Sequence, residues 1–157
     1  MNIGSILVPF DFSEFSEKAL TWGIEMAKQL RGRVLLLHVI PAFDSSSPVF
    51  STGAFPIAEL QDKLQAEAED KAKALVAGTD RQPVVIHTVA VTGDPFQEIC
   101  RVAADEEVDL IVMGSHGRTG LRHVLLGSVA ERVVRHAQCP VLVVRSEAAN
   151  TTLPQAD

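Results

Sequence analysis

Gly114-Ser115-His116-Gly117-Arg118-Thr119-Gly120, followed at a distance by Gly127-Ser128, is the part of the chain whose residue types and spacing could do chemistry. The chemistry they suggest is the holding of an anion. Gly114 and Gly117 lack the Cβ that would keep a phosphate off the main chain, and Arg118 can add charge. Gly127-Ser128 stands where a following helix would present its unpaired N–H groups and positive dipole end. The elements that would position these groups can be read on either side. Leu110-Ile111-Val112-Met113 is a short apolar run typical of a buried strand, and Val129, Ala130, Val133, Val134 and Ala137 recur at helical spacing. The segment is therefore strand, glycine-rich turn, helix.

Plainer roles exist for several of these residues. Ser128 and Glu131 match the S-x-x-E capping box, so Ser128 can serve simply to cap its helix. Arg118 can be a solvated loop residue, and Asp11, near the start of the chain, a plain N-cap. Capping does not account for Gly114 and Gly117, which follow a strand. Other phosphate and catalytic motifs fail on spacing. No Gly-Lys-Ser/Thr follows, the pattern is G-x-x-G and not G-x-G, and Met113 occupies the place where a nucleophile elbow around Ser115 needs glycine. With no Walker lysine and no second acidic motif to position a nucleophile, binding is better supported than turnover.

Stepping outward, 157 residues make one ordinary domain, and a composition nearly half hydrophobic is enough for a core without staples or a structural metal. The net charge of -6 and the lack of a basic stripe with interleaved aromatics argue against a nucleic-acid surface. A polyphosphate would thus rely on local donors and a cation. Cys100 and Cys139, without C-x-x-C spacing, fit reduced, cytosolic usage, a single disulfide being the lesser alternative. No leader pattern or bilayer-length apolar run is present, so a soluble cytoplasmic protein without membrane insertion is expected.

Ile3 to Val8 reads as a buried strand ended by Pro9. Asp11 or Ser13 can cap the next helix, Ala19, Leu20, Gly23, Met26, Ala27 and Leu30 form its core stripe with Trp22 off centre, and Gly32 is expected to stop it. Val34 to Val39 is a strand apolar on both faces, with His38 a satisfied core-edge histidine in preference to a ligand. Residues 41–56 show no period and read as a mobile loop. Its Phe43, Phe50 and Phe55 should pack over the adjacent helix, a pocket mouth or a partner chain. Ile57 to Ala77 is an amphipathic helix and Val84 to Val91 an edge-like strand. Asp94-Pro95-Phe96-Gln97 opens a helix, with Ile99, Val102 and Ala103 facing inward. This repeated strand and helix alternation predicts an α/β fold, a single domain with an open, mostly parallel sheet wrapped by helices. Such sheets bind ligands beyond the carboxyl ends of their strands.

The spacing Gly-x2-Gly-x9-Gly-Ser, with Val-Met-Gly-Ser-His-Gly-Arg and Ala-Gln-Cys-Pro-Val-Leu-Val-Val around it, resembles the nucleotide-binding branch of the universal stress protein family. Ile6-Leu7-Val8-Pro9-Phe10-Asp11-Phe12-Ser13 and Leu36-Leu37-His38-Val39 extend the resemblance over most of the chain. It implies a universal stress protein domain over residues 1–146 with a polar tail at 147–157, and a five-stranded sheet in the order 3-2-1-4-5. With the first and fourth strands adjacent, Pro9 to Asp11, Val39 to Pro41 and Met113 to Gly117 would meet at one crevice. The resemblance places the α- and β-phosphates and ribose of ATP near Gly114, His116 and Gly117, and the terminal phosphates at Gly127, Ser128 and Val129. Asp11 would serve the ribose or a water on a bound cation, and the Val39 backbone the adenine edge. Phe10 stands where many nucleotide-binding members carry a smaller residue. Mg²⁺ would bridge the phosphates with one or two protein oxygens and no dedicated site. The function implied is that of an ATP-binding regulatory or stress-response protein. A slow Mg-dependent ATPase and a nucleotide-free dimeric scaffold are the alternatives.

The last strand, Val141-Leu142-Val143-Val144, is uncharged and apolar on both faces, yet the implied order puts it on an outer edge. The resembled family pairs this strand with its copy, so a homodimer is expected. The other reading is a tail or helix folded back over the edge.

Overall fold

The computed structural model describes residues 3–41, 57–77, 84–117 and 126–145. Among these residues the elements are β1 (Ser5–Pro9), α1 (Glu14–Leu30), β2 (Arg33–Pro41), α2 (Ile57–Ala77), β3 (Val85–Gly93), α3 (Pro95–Asp105), β4 (Leu110–Gly114), α4 (Ser128–His136) and β5 (Val141–Val144). The five strands form one sheet in the order β3-β2-β1-β4-β5, every neighbouring pair parallel. This is the expected α/β class and strand order.

Strand residues alternate between two buried layers, which explains why the central strands are apolar throughout. Ile6, Val8, Val34, Leu36 and Val112 pack with Ala19, Leu20, Ile24 and Ala27 of α1 and Ala68 of α2. Leu7, Leu35, Leu37 and Ile111 pack with Ile99, Val102 and Ala103 of α3 and Ala130 and Val133 of α4. Val134 does not join its neighbours in this core; it is exposed. The thiols of Cys100 and Cys139 are free and half-buried, and burial pushes the pKa of both upward.

The lower end of the sheet is tied down by fixed protein groups. Asp109 Oδ2 accepts from the backbone N–H groups of Gly4 (2.8 Å) and Ser5 (2.9 Å), and Arg33 N–H donates to Gly4 O at 2.9 Å. Helix α1 ends close by, but the left-handed residue that stops it is Arg31, at φ 54°, and not Gly32. Gly32 N–H then donates to Ala27 O at 2.9 Å, closing a Schellman turn. Gly32 is required for another reason. A Cβ there would lie 3.0 Å from Gly4 O.

At the upper end the strands differ in height. Pro9 at the end of β1 is level with Leu37, while β2 and β3 stay paired up to Pro41 and Gly93. Residues His38 to Pro41 therefore rise about 13 Å above β1 and form a wall beside the ends of β1 and β4. Pro41 belongs to this strand and not to the loop expected from 41 onward. Residues 42–56, with Phe43, Phe50 and Phe55, lie outside the described residues, as do Arg118, Gly120 and the 147–157 tail. Among the described residues no helix is long and apolar enough to cross a membrane.

Candidate functional site

The first side of the crevice is the turn from β1 into α1. Phe10 N–H donates to Leu37 O at 2.8 Å, and His38 Nδ1 lies 2.6 Å from Phe10 O. A carbonyl only accepts, so Nδ1 carries the proton, and the buried His38 is satisfied by the backbone as its core-edge reading required. The Phe10 ring is buried in the α1 layer, edge-on to Phe12 at 5.0 Å between centroids, so only its backbone reaches the turn. Phe12 is held at φ 63°. A bulky residue in the left-handed region carries about 1–3 kcal/mol of strain, which the surrounding hydrogen bonds must offset.

Those bonds involve Asp11. Its Oδ1 accepts from Ser13 N–H at 3.0 Å and from the Ser13 hydroxyl, and Asp11 N–H donates to Ser16 Oγ at 3.3 Å. Ser13 is the N-cap of α1, accepting from Ser16 N–H at 3.2 Å, and this decides between the two candidate caps. Asp11 sits before the helix and braces its cap. The other carboxylate oxygen faces the glycine loop: a Cβ on Gly117 would lie 2.8 Å from Asp11 Oδ2.

The second side is the turn after β4. A Cβ on Gly114 would stand 2.7 Å from Phe15 Cβ and 2.9 Å from Phe15 C, so the first glycine of the motif admits α1 against β4. Packing alone therefore requires glycine at 114. Ser115, which the sequence offers only as an elbow nucleophile that its neighbours rule out, is buried and anchors the turn. Its N–H donates to Val144 O at 2.8 Å, and its carbonyl accepts from Gly127 N–H at 2.7 Å. That second bond closes a neck between the end of β4 and the start of the next helix. His116 lies at the neck, its Nδ1 3.1 Å from Ser115 Oγ and its ring 5.4 Å from that of Phe15. A Cβ on Gly127 would come within 3.2 Å of Ser115 O, so the neck, too, is built for glycine.

Helix α4 begins at the neck. Gly127 is its N-cap, with no side-chain hydrogen bond to the first turn, and Ser128 is the first helical residue. The S-x-x-E capping box therefore does not form. Glu131 falls one place too late and pairs with Arg135 at 2.7 Å. Val129 is half-buried against the α3 and α4 layer, as is Val39 on the β2 wall, while Met113 lies within that layer. Pro9, Asp11, Gly114, His116 and Gly117 thus gather above β1 and β4, with Val39 on the wall and Gly127, Ser128 and Val129 at the helix start. Arg118 falls outside the described residues. No signal in the sequence marks Phe12 as left-handed or Ser115 as an anchor; both follow from tertiary hydrogen bonds.

Chemically, the assembly offers main-chain donors at the positive end of a helix, a carboxylate oxygen beside a glycine and an apolar wall. Among the described residues, no three His, Cys, Asp or Glu side chains come together as a metal site.

Comparison with known proteins agrees with this architecture. The family model described as "Universal stress protein family" matches residues 2–145. Universal stress protein MJ0577 of Methanocaldococcus jannaschii is 37% identical over 152 residues, spanning 89% of this chain and 93% of that protein. Its solved structure covers 95% of this chain and 100% of its own, with a TM-score of 0.73. Universal stress protein UspA of Lactobacillus plantarum gives a TM-score of 0.77 at 30% identity, covering 92% and 99% of the two chains. A universal stress protein solved in complex with cAMP shares the fold at 23% identity and a TM-score of 0.63, covering 92% and 98%. From the paired turns above β1 and β4 to the uncapped start of α4, the chain belongs to the universal stress protein family.

Proposed function

We propose that this protein binds ATP in the crevice above β1 and β4 and works as a nucleotide-responsive regulatory protein of the cytoplasm. The observation that carries the reading is the start of α4. Its first-turn N–H groups have no side-chain cap among the described residues, and they open beside a neck crowded enough to need glycine at 127. An anion at that position would take the donors that a cap normally occupies. In this reading the main chain at Gly127, Ser128 and Val129 receives the terminal phosphates. Gly114, His116 and Gly117 hold the inner phosphates and ribose, with Arg118 adding charge, and the Val39 backbone meets the base. Asp11 suits a ribose hydroxyl or a water on Mg²⁺, since Oδ2 faces Gly117 across a gap that a methyl group would fill. Mg²⁺ would supply charge neutralisation between the phosphates. The chain's own residues would do the binding and orienting.

Support from relatives is limited to adenine nucleotides as a class, since the cAMP complex is that of a distant fold neighbour. Holding is favoured over consuming because the sequence provides no Walker lysine. The test is mass spectrometry of nucleotide that copurifies with the protein, followed by calorimetric titration of stripped protein with ATP and Mg²⁺. ATP in the preparation and saturable binding are expected. A clean preparation with no heat of binding would overturn the proposal, and several Mg-dependent turnovers per second would replace it with the enzyme reading.

We further propose a homodimer formed by antiparallel pairing of β5 with its copy. Strand β5 is paired only with β4 among the described residues, and Val141 to Val144 carry no charge that would discourage pairing.

A further inference from the structure

Trp22, the only tryptophan of the chain, is 56% exposed on α1. Its direction follows from the phase of the helix. Gly23 faces the sheet, where a Cβ would lie 2.7 Å from Val8 Cγ2. Glu17 marks one flank, pairing with Lys71 of α2 at 2.8 Å, and Phe15 marks the other, lying against Gly114 of β4. Trp22 follows Phe15 by two turns and so points within about 20° of it, toward the β4 and β5 side. Its height is fixed as well. Gly23 sits over Val8, Leu7 is level with Ile111, and Ile111 is level with Val141. Trp22 therefore stands within about one residue of the middle of β5, on its open side.

The opposite face repeats the arrangement. Arg132 marks the α3 flank of α4, 3.6 Å from Asp94 Oδ2 and 4.0 Å above the Phe96 ring. Val134, about 200° further round, points away from α3 and is 47% exposed. Four large apolar side chains are exposed among the described residues, and these two border the same strand edge, one above the sheet and one below.

We propose that Trp22 packs against Trp22 of a second copy across the two-fold axis of the β5 dimer, while Val134 approaches its own copy beneath, so that the seam is roofed on both faces. The inference rests on the β5 pairing proposed above. A two-fold axis through the middle of β5 brings a residue against itself only if that residue stands at the height of the axis, as Trp22 does. With strands about 4.8 Å apart, α1 lies about 10 Å from the seam, a gap that a tryptophan spans and a shorter side chain leaves open. Charge does not oppose this placement. Lys18 and Glu25, four residues before and three after Trp22, are neutralised within the chain by Glu14 at 3.3 Å and Lys28 at 2.9 Å, so neither brings an unpaired charge to the seam.

Because the indole is unique, its emission reports on the seam directly. We expect wild-type protein to sediment as a dimer with blue-shifted emission that resists acrylamide quenching, and the spectrum to move red in step with mass on dilution. Trp22→Glu, exposed in the single chain, should keep the circular dichroism of wild type and weaken the dimer at least tenfold by sedimentation. A dimer with solvent-like emission unchanged by dilution, or one of unchanged strength in Trp22→Glu, overturns the roof and leaves β5 pairing standing. A wild-type monomer at micromolar concentration overturns both.

Discussion

At the start of α1, Ser13 accepts from Ser16 N–H at 3.2 Å, and at the start of α3, Asp94 accepts from Gln97 N–H at 3.0 Å. At the start of α4 the cap is Gly127, which has no side chain to offer. The three helices face the same problem of unpaired first-turn donors. Two solve it locally, and in doing so use those donors for stability. The third has no side-chain cap among the described residues, which is what the proposed phosphate site needs, and it is also the helix that starts at the crowded neck between Ser115 and Gly127. An open cap is thus a positional choice, because Ser and Asp are available in this chain and are used elsewhere.

This contrast can be broken or sharpened by substitution. The largest effect is expected for Gly117→Val, which drives a branched side chain into the space beside Asp11 Oδ2. ATP affinity measured by calorimetry should fall on the order of a hundredfold, about 2.7 kcal/mol, with the circular dichroism unchanged. Equal affinity would remove Gly117 from the site. Asp94→Ala comes next and acts on the closed kind of cap. Urea unfolding should show a loss of about 1 kcal/mol, while nucleotide affinity stays at the wild-type value, since α3 spends its donors on itself. The smallest effect is expected for Ser128→Ala. Its stability should stay within about 0.5 kcal/mol of wild type, because the residue is not a cap, and affinity should drop by about 1 kcal/mol for one lost hydroxyl contact. A stability loss as large as that of Asp94→Ala would restore Ser128 as a cap and close the comparison.

Much of the frame was legible because it depends on local rules. Asp94-Pro95-x-Gln97 announces a helix start by capping and by the fixed φ of proline, and the apolar runs at Leu35 and Ile111 announce strands covered on both faces. The misreadings share a cause in tertiary contacts. Gly32 has the residue type of a helix stop, but the left-handed position falls on Arg31, and the glycine is needed where Gly4 O comes close. Ser128 and Glu131 have the spacing of a capping box, but the neck bond to Gly127 sets the helix start one residue earlier. Gly114 stands out in sequence as a gap beside an anion, and the fold adds a second demand on it that sequence does not show, since α1 at Phe15 needs the space. Val134 matches the apolar period, yet it falls on the flank beside the open strand edge. Periodicity reports which residues could face a core, and not where the core ends.

The neck described above bears on how such a chain can vary over generations. Gly127 N–H donates to Ser115 O at 2.7 Å. The bond runs between main-chain atoms, so it survives a change of side chain at 115. Gly127 has no such freedom, because a Cβ there would come within 3.2 Å of Ser115 O. One side of the neck is thus a backbone address open to other small residues, and the other is held to a single residue type among descendants.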